Sequence, residues 1–210
     1  LHINVQYNGS VRSDAVANRE ALLAAARIEL NLDGDASLEA IAARAGLTRR
    51  SVYGHFATRD DLLRELITLG ATRVAGSVAG VDHEDPVVRL ALIASRLWRE
   101  VEDIRVMAVF AVRGPLKGHT AEALAPLRAR VAEAIVEGAD AGTVRRDIPA
   151  PQLARLVEDA ALSALGEAST QSIPGAAAHR LVMLLVLATV GLSASEAATL
   201  IDTHPELDWN

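Results

Sequence analysis

The sequence contains no cysteine. That excludes disulfide scaffolds, thiolate zinc sites and cysteine nucleophiles together. Aromatic residues are scarce, with two each of tryptophan, tyrosine and phenylalanine in 210 residues. A ligand cavity would therefore be lined chiefly by aliphatic side chains, which suits an apolar or acyl-like molecule better than a stacked planar one. Lys117 is the only lysine among 21 basic residues, and with abundant alanine, leucine and valine the composition points to a GC-rich bacterial genome. The longest apolar run, Leu181 to Leu192, falls short of the roughly 20 residues that span a bilayer. No charged segment followed by an apolar stretch opens the chain, so a cytoplasmic protein with no membrane partner is expected. A first residue of Leu1 rather than methionine suggests a trimmed or unconventional start.

Half of the residues are hydrophobic and 23% are charged, enough to bury a sizeable core. Apolar residues recur with helical spacing, as in Leu124, Leu127, Val131 and Ile135, or Leu153, Leu156, Val157, Ala160, Ala164 and Leu165. No alternating run bounded by hairpin turns suggests a strand, and no internal repeat is visible. An all-α fold of about nine helices is expected. Asp85-Pro86 reads as a cap followed by proline in the first turn. Gly114-Pro115, Pro149 with Pro151, and Ile173-Pro174-Gly175 mark further breaks. Residues 1–13, Arg12 among them, read as a flexible arm, and His204 to Asn210 as a frayed acidic tail.

The formal charge of −6 argues at first against a nucleic-acid partner, since phosphate binding favours a basic surface. Residues 44–59 point the other way. Arg44, Arg49, Arg50, Arg59 and His55 lie there with no carboxylate, while Asp33, Asp35, Glu39, Asp60 and Asp61 flank them. The same stretch is sharply punctuated. Ser37 is placed to cap a helix ending near Gly46, whose glycine suits a left-handed stop, and Leu47 supplies an apolar contact across the turn. Thr48 caps a second helix over Arg49–Phe56, and Thr58 with Asp61 forms a capping box for a third. Two short helices about a glycine turn are the pattern of a helix-turn-helix. Arg49 and Arg50 oppose the macrodipole at their helix start, a placement that makes sense where arginine pairs with guanine O6 and N7 in a groove. Thr48 and Ser51 offer hydroxyls for phosphate.

The run Arg19-x-x-Leu22-x-x-Ala25-Ala26, then Ile41-Ala42-x-x-Ala45-Gly46-Leu47-Thr48, then Val52-Tyr53-x-His55-Phe56-x-x-Arg59-x-x-Leu62-Leu63 resembles the N-terminal domain of the TetR-type transcriptional repressors. The resemblance covers about 45 residues. Beyond them, Leu187-x-x-x-Gly191-Leu192-Ser193-x-x-Glu196-Ala197 is similar to the family's last helix and tail. The sequence departs from the family at Leu30, where an aromatic is usual, in a link from Gly34 to Ile41 about two residues short, at Arg50, where a small residue is common, and at Arg59, where lysine is usual. The resemblance implies an arm (1–13), a three-helix DNA-binding domain (14–57), and a helical domain (58–210) for effector binding and dimerisation. It implies DNA contacts by Ser37, Thr48, Arg49, Arg50, Ser51, Tyr53, His55 and Arg59. Phe56 reads as core; Tyr53 reads either as a phosphate contact or as a packed ring with its hydroxyl in water. Arg44 is open to a solvated role, and Arg12 in the arm to a minor-groove contact or to none.

The family's effector cavity maps onto helices that here carry Trp98, Met107, Phe110 and Arg113; ordinary core packing is the plain alternative for the first three. The helix from Gln152 to Ala168 and that from His179 to Leu192 are expected to pair in a homodimer. The expected partners are thus a palindromic double-stranded DNA operator, a small-molecule effector and a second copy of the chain. The six histidines share no metal-binding spacing, phosphate-loop and nucleophile-elbow patterns are missing, and no metal, cofactor or enzymatic activity is expected. The competing reading is an all-helical protein-interaction module without specific DNA binding.

Overall fold

The computed structural model describes residues 7–171 and 173–209, with side chains from residue 13 onward. Among these residues there are eleven α-helices, two short 3-10 turns and no strand. The helices are α1 (Tyr7–Leu32), α2 (Leu38–Arg44), α3 (Arg49–His55), α4 (Arg59–Val78), α5 (Pro86–Val101), α6 (Arg105–Arg113), α7 (Lys117–Ala123), α8 (Ala125–Ala141), α9 (Ala150–Thr170), α10 (Gly175–Thr189) and α11 (Ala194–Thr203). The count is close to the expected nine. The additional ones are short, and a helix of two turns leaves little periodicity to read. Of the expected arm, residues 1–6 and the side chain of Arg12 lie outside the described residues, whereas residues 7–13 already belong to α1.

The chain forms two compact units, one up to Leu69 and one from Gly70 onward. The division falls inside α4 instead of at the expected 57/58 boundary. Its cause is apolar: Leu62, Leu63, Leu66 and Ile67 of α4 are buried in the first unit together with Leu22, Ala26, Leu30, Ile41, Val52 and Phe56. Each such side chain contributes roughly 1.5–3 kcal/mol by leaving water. Leu30, standing where relatives carry an aromatic, is itself 3% exposed, so leucine fills that place in the core.

In the second unit α10 packs on α9 and α5, and α5 also packs on α8. The core joins Val87, Leu90, Ala91, Ala94 and Trp98 of α5 to Ile135 of α8, Leu153, Val157 and Leu165 of α9, and Val182, Met183, Val186 and Leu187 of α10. Asp85 caps α5 as expected, its Oδ1 accepting the Val87 amide at 2.8 Å. Ser193 and Glu196 form a reciprocal capping box on α11. The tail departs from expectation. Pro205–Leu207 make a 3-10 turn, Leu207 is fully buried, and the Trp209 ring lies 5.0 Å from the His179 ring. Burial of one leucine and contact of one tryptophan outweigh the acidic character that suggested fraying.

His179 on α10 is buried, and its Nε2 lies 2.8 Å from the Ser95 hydroxyl of α5. Burial, helped by the nearby Arg99 charge, lowers its pKa from 6.5 to about 4. In this range the unfolded chain binds the proton more readily than the folded one, so stability rises with pH. The stabilisation is present above about pH 6.5 and is lost progressively toward pH 4. Urea unfolding at pH 7 and pH 5 is expected to differ by about 2 kcal/mol from this group, at 1.36 kcal/mol per pKa unit. In His179→Gln that share of the difference should vanish; an unchanged pH dependence would assign it to other groups.

Candidate nucleic-acid interface

The helix-turn-helix is set by local chemistry. Ser37 Oγ accepts the Ala40 amide at 3.2 Å and starts α2. Gly46 adopts φ +70°, a left-handed conformation that side chains disfavour by about 1 kcal/mol or more. There its amide reaches Ala43 O at 3.1 Å while Leu47 N reaches Ala42 O at 2.8 Å, which closes α2. Thr48 Oγ1 accepts the Ser51 amide at 3.2 Å and starts α3. On the inner side of α3, Val52 and Phe56 are buried. That orientation leaves Arg49, Arg50 and Tyr53 exposed on the opposite side, with Ser37 and Thr48 exposed nearby and Ser51 half-buried.

Arg19 of α1 supports this arrangement from beneath. Its guanidinium lies 4.6 Å from the centre of the Phe56 ring. It donates to the His55 carbonyl at 3.3 Å and, through Nε, to Glu65 of α4 at 2.9 Å. One arginine thus ties the end of α3 to α1 and α4. His55 contributes that carbonyl, and its ring is half-buried.

The arginines differ more than their shared window suggested. Arg44 is paired with Glu29. Arg49, whose side chain is 75% exposed, lies 3.3 Å from Glu39 of α2 and 5.5 Å from the centre of the Tyr53 ring. The Tyr53 hydroxyl donates to the same Glu39 carboxylate at 3.0 Å, so the hydroxyl has a protein partner in place of water alone. Arg50 makes no ion pair or hydrogen bond among the described residues. Arg59, expected to contact phosphate, is engaged within the protein in the absence of DNA. Its Nε donates to Ala36 O at 2.9 Å and its Nη2 to Gly34 O. The short α1–α2 link leaves those carbonyls without helical partners, and Arg59 satisfies them.

Glu39 is the residue that sequence reasoning missed. It was visible only as one of the acids flanking a basic window. Its place in the first turn of α2 brings its own backbone N–H, then Tyr53, then Arg49 to bear on the carboxylate, lowering its pKa below the ordinary value. It is therefore an anion at neutral pH that occupies two groups on the outer side of α3.

In the second unit Trp98 and Met107 are buried, Phe110 is half-buried and Arg113 is exposed at the end of α6. Arg113 stands where a cation favours the helix macrodipole, and the guanidinium beside Trp98 belongs instead to Arg105, 5.6 Å from the ring centre. Trp98 Nε1 is buried with no hydrogen-bond partner. The expectation of no metal-binding set rested on spacing along the chain. The fold nevertheless gathers His83, His204 and Glu206, whose ligand atoms lie within 4.8 Å of one another.

A capped, glycine-turned pair of helices with two outward arginines and a tyrosine on the second is the apparatus of a DNA-binding helix-turn-helix protein. Residues 21–66 match the family model of bacterial regulatory proteins, tetR family. The match covers the helix-turn-helix and its flanking helices, so this segment is similar to the DNA-binding domain of transcriptional regulators of that family. No curated protein sequence matches the chain. Its fold is shared with FadR from Bacillus subtilis, solved with stearoyl-CoA, at TM-score 0.66 and 14% identity over 80% of this chain and 97% of that one. LfrR from Mycobacterium smegmatis, solved with proflavine, gives 0.65 and 19% over 83% and 94%. SmeT, a repressor of a multidrug efflux pump in Stenotrophomonas maltophilia, gives 0.63 and 23% over 81% and 87%.

The different environments of the arginines give different expected mutants. Arg50→Ala should lower affinity for specific DNA by about 1–3 kcal/mol at one base position, the range for a bidentate guanine contact. Arg59→Ala should instead lower the stability of the domain by about 1–2 kcal/mol, as carbonyls lose a charged donor, with little change in the salt dependence of binding. Band shifts at two salt concentrations and urea unfolding of both variants check this; an Arg59→Ala protein of full stability and weakened phosphate binding would reverse the assignment. Glu39→Gln should tighten binding to non-operator DNA a few-fold, because it releases Arg49 and Tyr53 and removes an anion from the phosphate-facing side. A titration with random-sequence duplex measures it, and unchanged affinity would show that Glu39 does not compete with DNA.

Proposed function

We propose that this chain is a transcriptional repressor that binds a palindromic operator as a homodimer and leaves it when a small molecule enters the helical body. The observation that carries the reading is the outer side of α3, where Arg49, Arg50 and Tyr53 stand exposed on a helix fixed from within by Val52, Phe56 and Arg19. Arg50 and Arg49 read bases or phosphates in the major groove. Tyr53, Thr48, Ser51, Ser37 and His55 position the helix against the backbone, and Arg59 acts by holding the α1–α2 link. Such regulators work beside DNA in the bacterial cytoplasm, and no helix among the described residues is long and apolar enough to cross a membrane.

A single three-helix reader covers one half-site, so specificity requires two. The outer side of α10 supports pairing: Leu181, Leu184 and Leu185 are only partly buried and Ala188 is exposed, while Leu156 on α9 is 45% exposed. Partly buried leucines at helical spacing beside an exposed one favour a partner surface. For the effector, the unpartnered Trp98 Nε1 favours a ligand bearing a hydrogen-bond acceptor, and Arg105 favours one with negative charge. A buried donor without a partner costs about 1–3 kcal/mol, which a bound acceptor would recover. Trp98, Met107 and Phe110 would line that site, with Arg105 taking the role first given to Arg113. The relatives were solved with stearoyl-CoA and proflavine, molecules of very different shape, but the scarcity of aromatics here favours the acyl class. α4 runs from the first unit into the second and is the covalent route by which ligand binding would alter the reader.

A gel shift on the promoter beside its own gene and on selected random DNA tests the central reading. Wild type should show sequence preference and lose affinity steeply with salt, and Arg49→Ala and Tyr53→Phe should both weaken binding. Binding that is indifferent to salt would favour the protein-interaction reading. For the dimer, sedimentation should show two chains in wild type and one in Leu184→Glu, with operator affinity falling together with dimerisation. A wild-type monomer that still binds the operator at full affinity would refute the pairing.

A further inference from the structure

We propose that His83, His204 and Glu206 form a binding site for one divalent metal ion of the zinc class. His83 lies in the loop between α4 and α5, His204 ends α11, and Glu206 lies in the 3-10 turn that follows. All three belong to the second unit. One potential ligand atom from each lies within 4.8 Å of the others. Three points no farther apart than that share a centre at most roughly 2.8 Å from each, by plane geometry, against about 2.0–2.2 Å for zinc bonds to imidazole and carboxylate. Closing that gap takes well under 1 Å per side chain, which rotation of an exposed glutamate and two half-buried rings can supply.

The hydrogen bond behind His204 favours metal over coincidence. His204 Nδ1 lies 2.7 Å from the Leu200 carbonyl. A carbonyl only accepts, so Nδ1 carries the proton and Nε2 keeps a free lone pair. This is the arrangement by which proteins fix a metal-binding histidine. His83 Nδ1 accepts the Asp85 amide at 3.0 Å and lies 3.4 Å from the Asp85 carbonyl, so Nε2 is the outward atom and carries the proton in this arrangement; metal binding there requires the other tautomer. Metal on that Nε2 places the ring proton on Nδ1, where the Asp85 carbonyl takes it and the amide loses its acceptor. The two rings meet edge to face with centres 6.0 Å apart, leaving space between their edges. Glu84 beside His83 in the chain and Asp208 beyond Glu206 add negative charge that favours a cation, whereas Asp82 is paired with Arg89, which also donates to the His83 carbonyl. Two imidazoles and one carboxylate suit zinc, with water in the fourth position.

Such an ion would cross-link the α4–α5 loop to the C-terminal segment. The segment is otherwise held by Leu207 and by Arg99, which donates to the Asp208 carbonyl.

The test uses the full chain, freed of metal by a chelator and titrated with Zn2+, and with Co2+ for its visible absorption. Wild type should bind one equivalent and gain roughly 5 °C in melting midpoint at a metal concentration about 100 times Kd. His83→Asn, His204→Asn and Glu206→Gln should each weaken binding tenfold or more and abolish the thermal gain, while His119→Asn should keep both. Melting of the metal-free variants separates folding defects from lost ligands; should His204→Asn fold poorly, the loop variant and the exposed Glu206 variant still decide. Absence of a bound equivalent in wild type would overturn the site. So would wild-type affinity in His83→Asn and Glu206→Gln, or an equal loss in His119→Asn. None of these outcomes depends on DNA binding.

Discussion

The burial of Val52 and Phe56 on the inner side of α3 is the constraint on which the DNA-facing surface depends. A seven-residue helix has little stability of its own, so its rotation is fixed by what it buries. With those two residues inside, Arg49, Arg50 and Tyr53 have no alternative to the outside. Gly46 and Thr48 set where the helix begins, and Arg19 locks its end by stacking on Phe56 and holding the His55 carbonyl. Leu62, Leu63, Leu66 and Ile67 then close the same core, which is why the first unit ends within α4 and not before it.

Much of this was legible along the chain because it is local. Caps, the glycine stop, the two short helices and the all-helical class follow from neighbours within about four residues, and the sequence displays those directly. The pairings were not legible, because they join residues far apart. Glu39 on α2 meeting Arg49 and Tyr53 on α3, and Glu29 meeting Arg44, compensate two of the four arginines in an apparently uncompensated basic window. That Arg59 also holds Gly34 and Ala36 was hidden, because nothing in its vicinity along the chain shows that those carbonyls lack donors. Arg105 and Arg113 are both on α6, and only the packing of α6 tells which lies beside Trp98. The tail read as frayed because its apolar content is two residues; their weight depends on whether a surface is waiting for them.

The net charge of −6 illustrates how a total misleads. Phosphate attraction is set by charges within about a Debye length, roughly 8–10 Å at ordinary salt, so a sum over the whole chain does not describe a patch on α3. What does weaken it is Glu39, held as an anion against the two groups that DNA would use. Pairing of that kind raises the threshold for docking on any duplex, and only a site offering further contacts, such as a guanine for Arg50, repays the displacement. Specificity is a difference between affinities, and an internal competitor lowers the wrong one as well as the right one.

The same logic separates the two sites. On α3 the fold pairs Arg49 and Tyr53 with the Glu39 carboxylate, which on the proposed reading a DNA backbone would displace. In the second unit the fold brings two imidazoles and a carboxylate together from the α4–α5 loop and the C-terminal segment, with the His204 ring held in one orientation by Leu200 and His83 Nδ1 taken by the Asp85 amide. A surface whose groups are paired internally is poised for exchange. One whose ligand atoms converge unpaired is poised for addition. Which of these a cluster represents is decided by the hydrogen bonds behind the exposed atoms, and those are fixed by helix ends rather than by spacing along the chain.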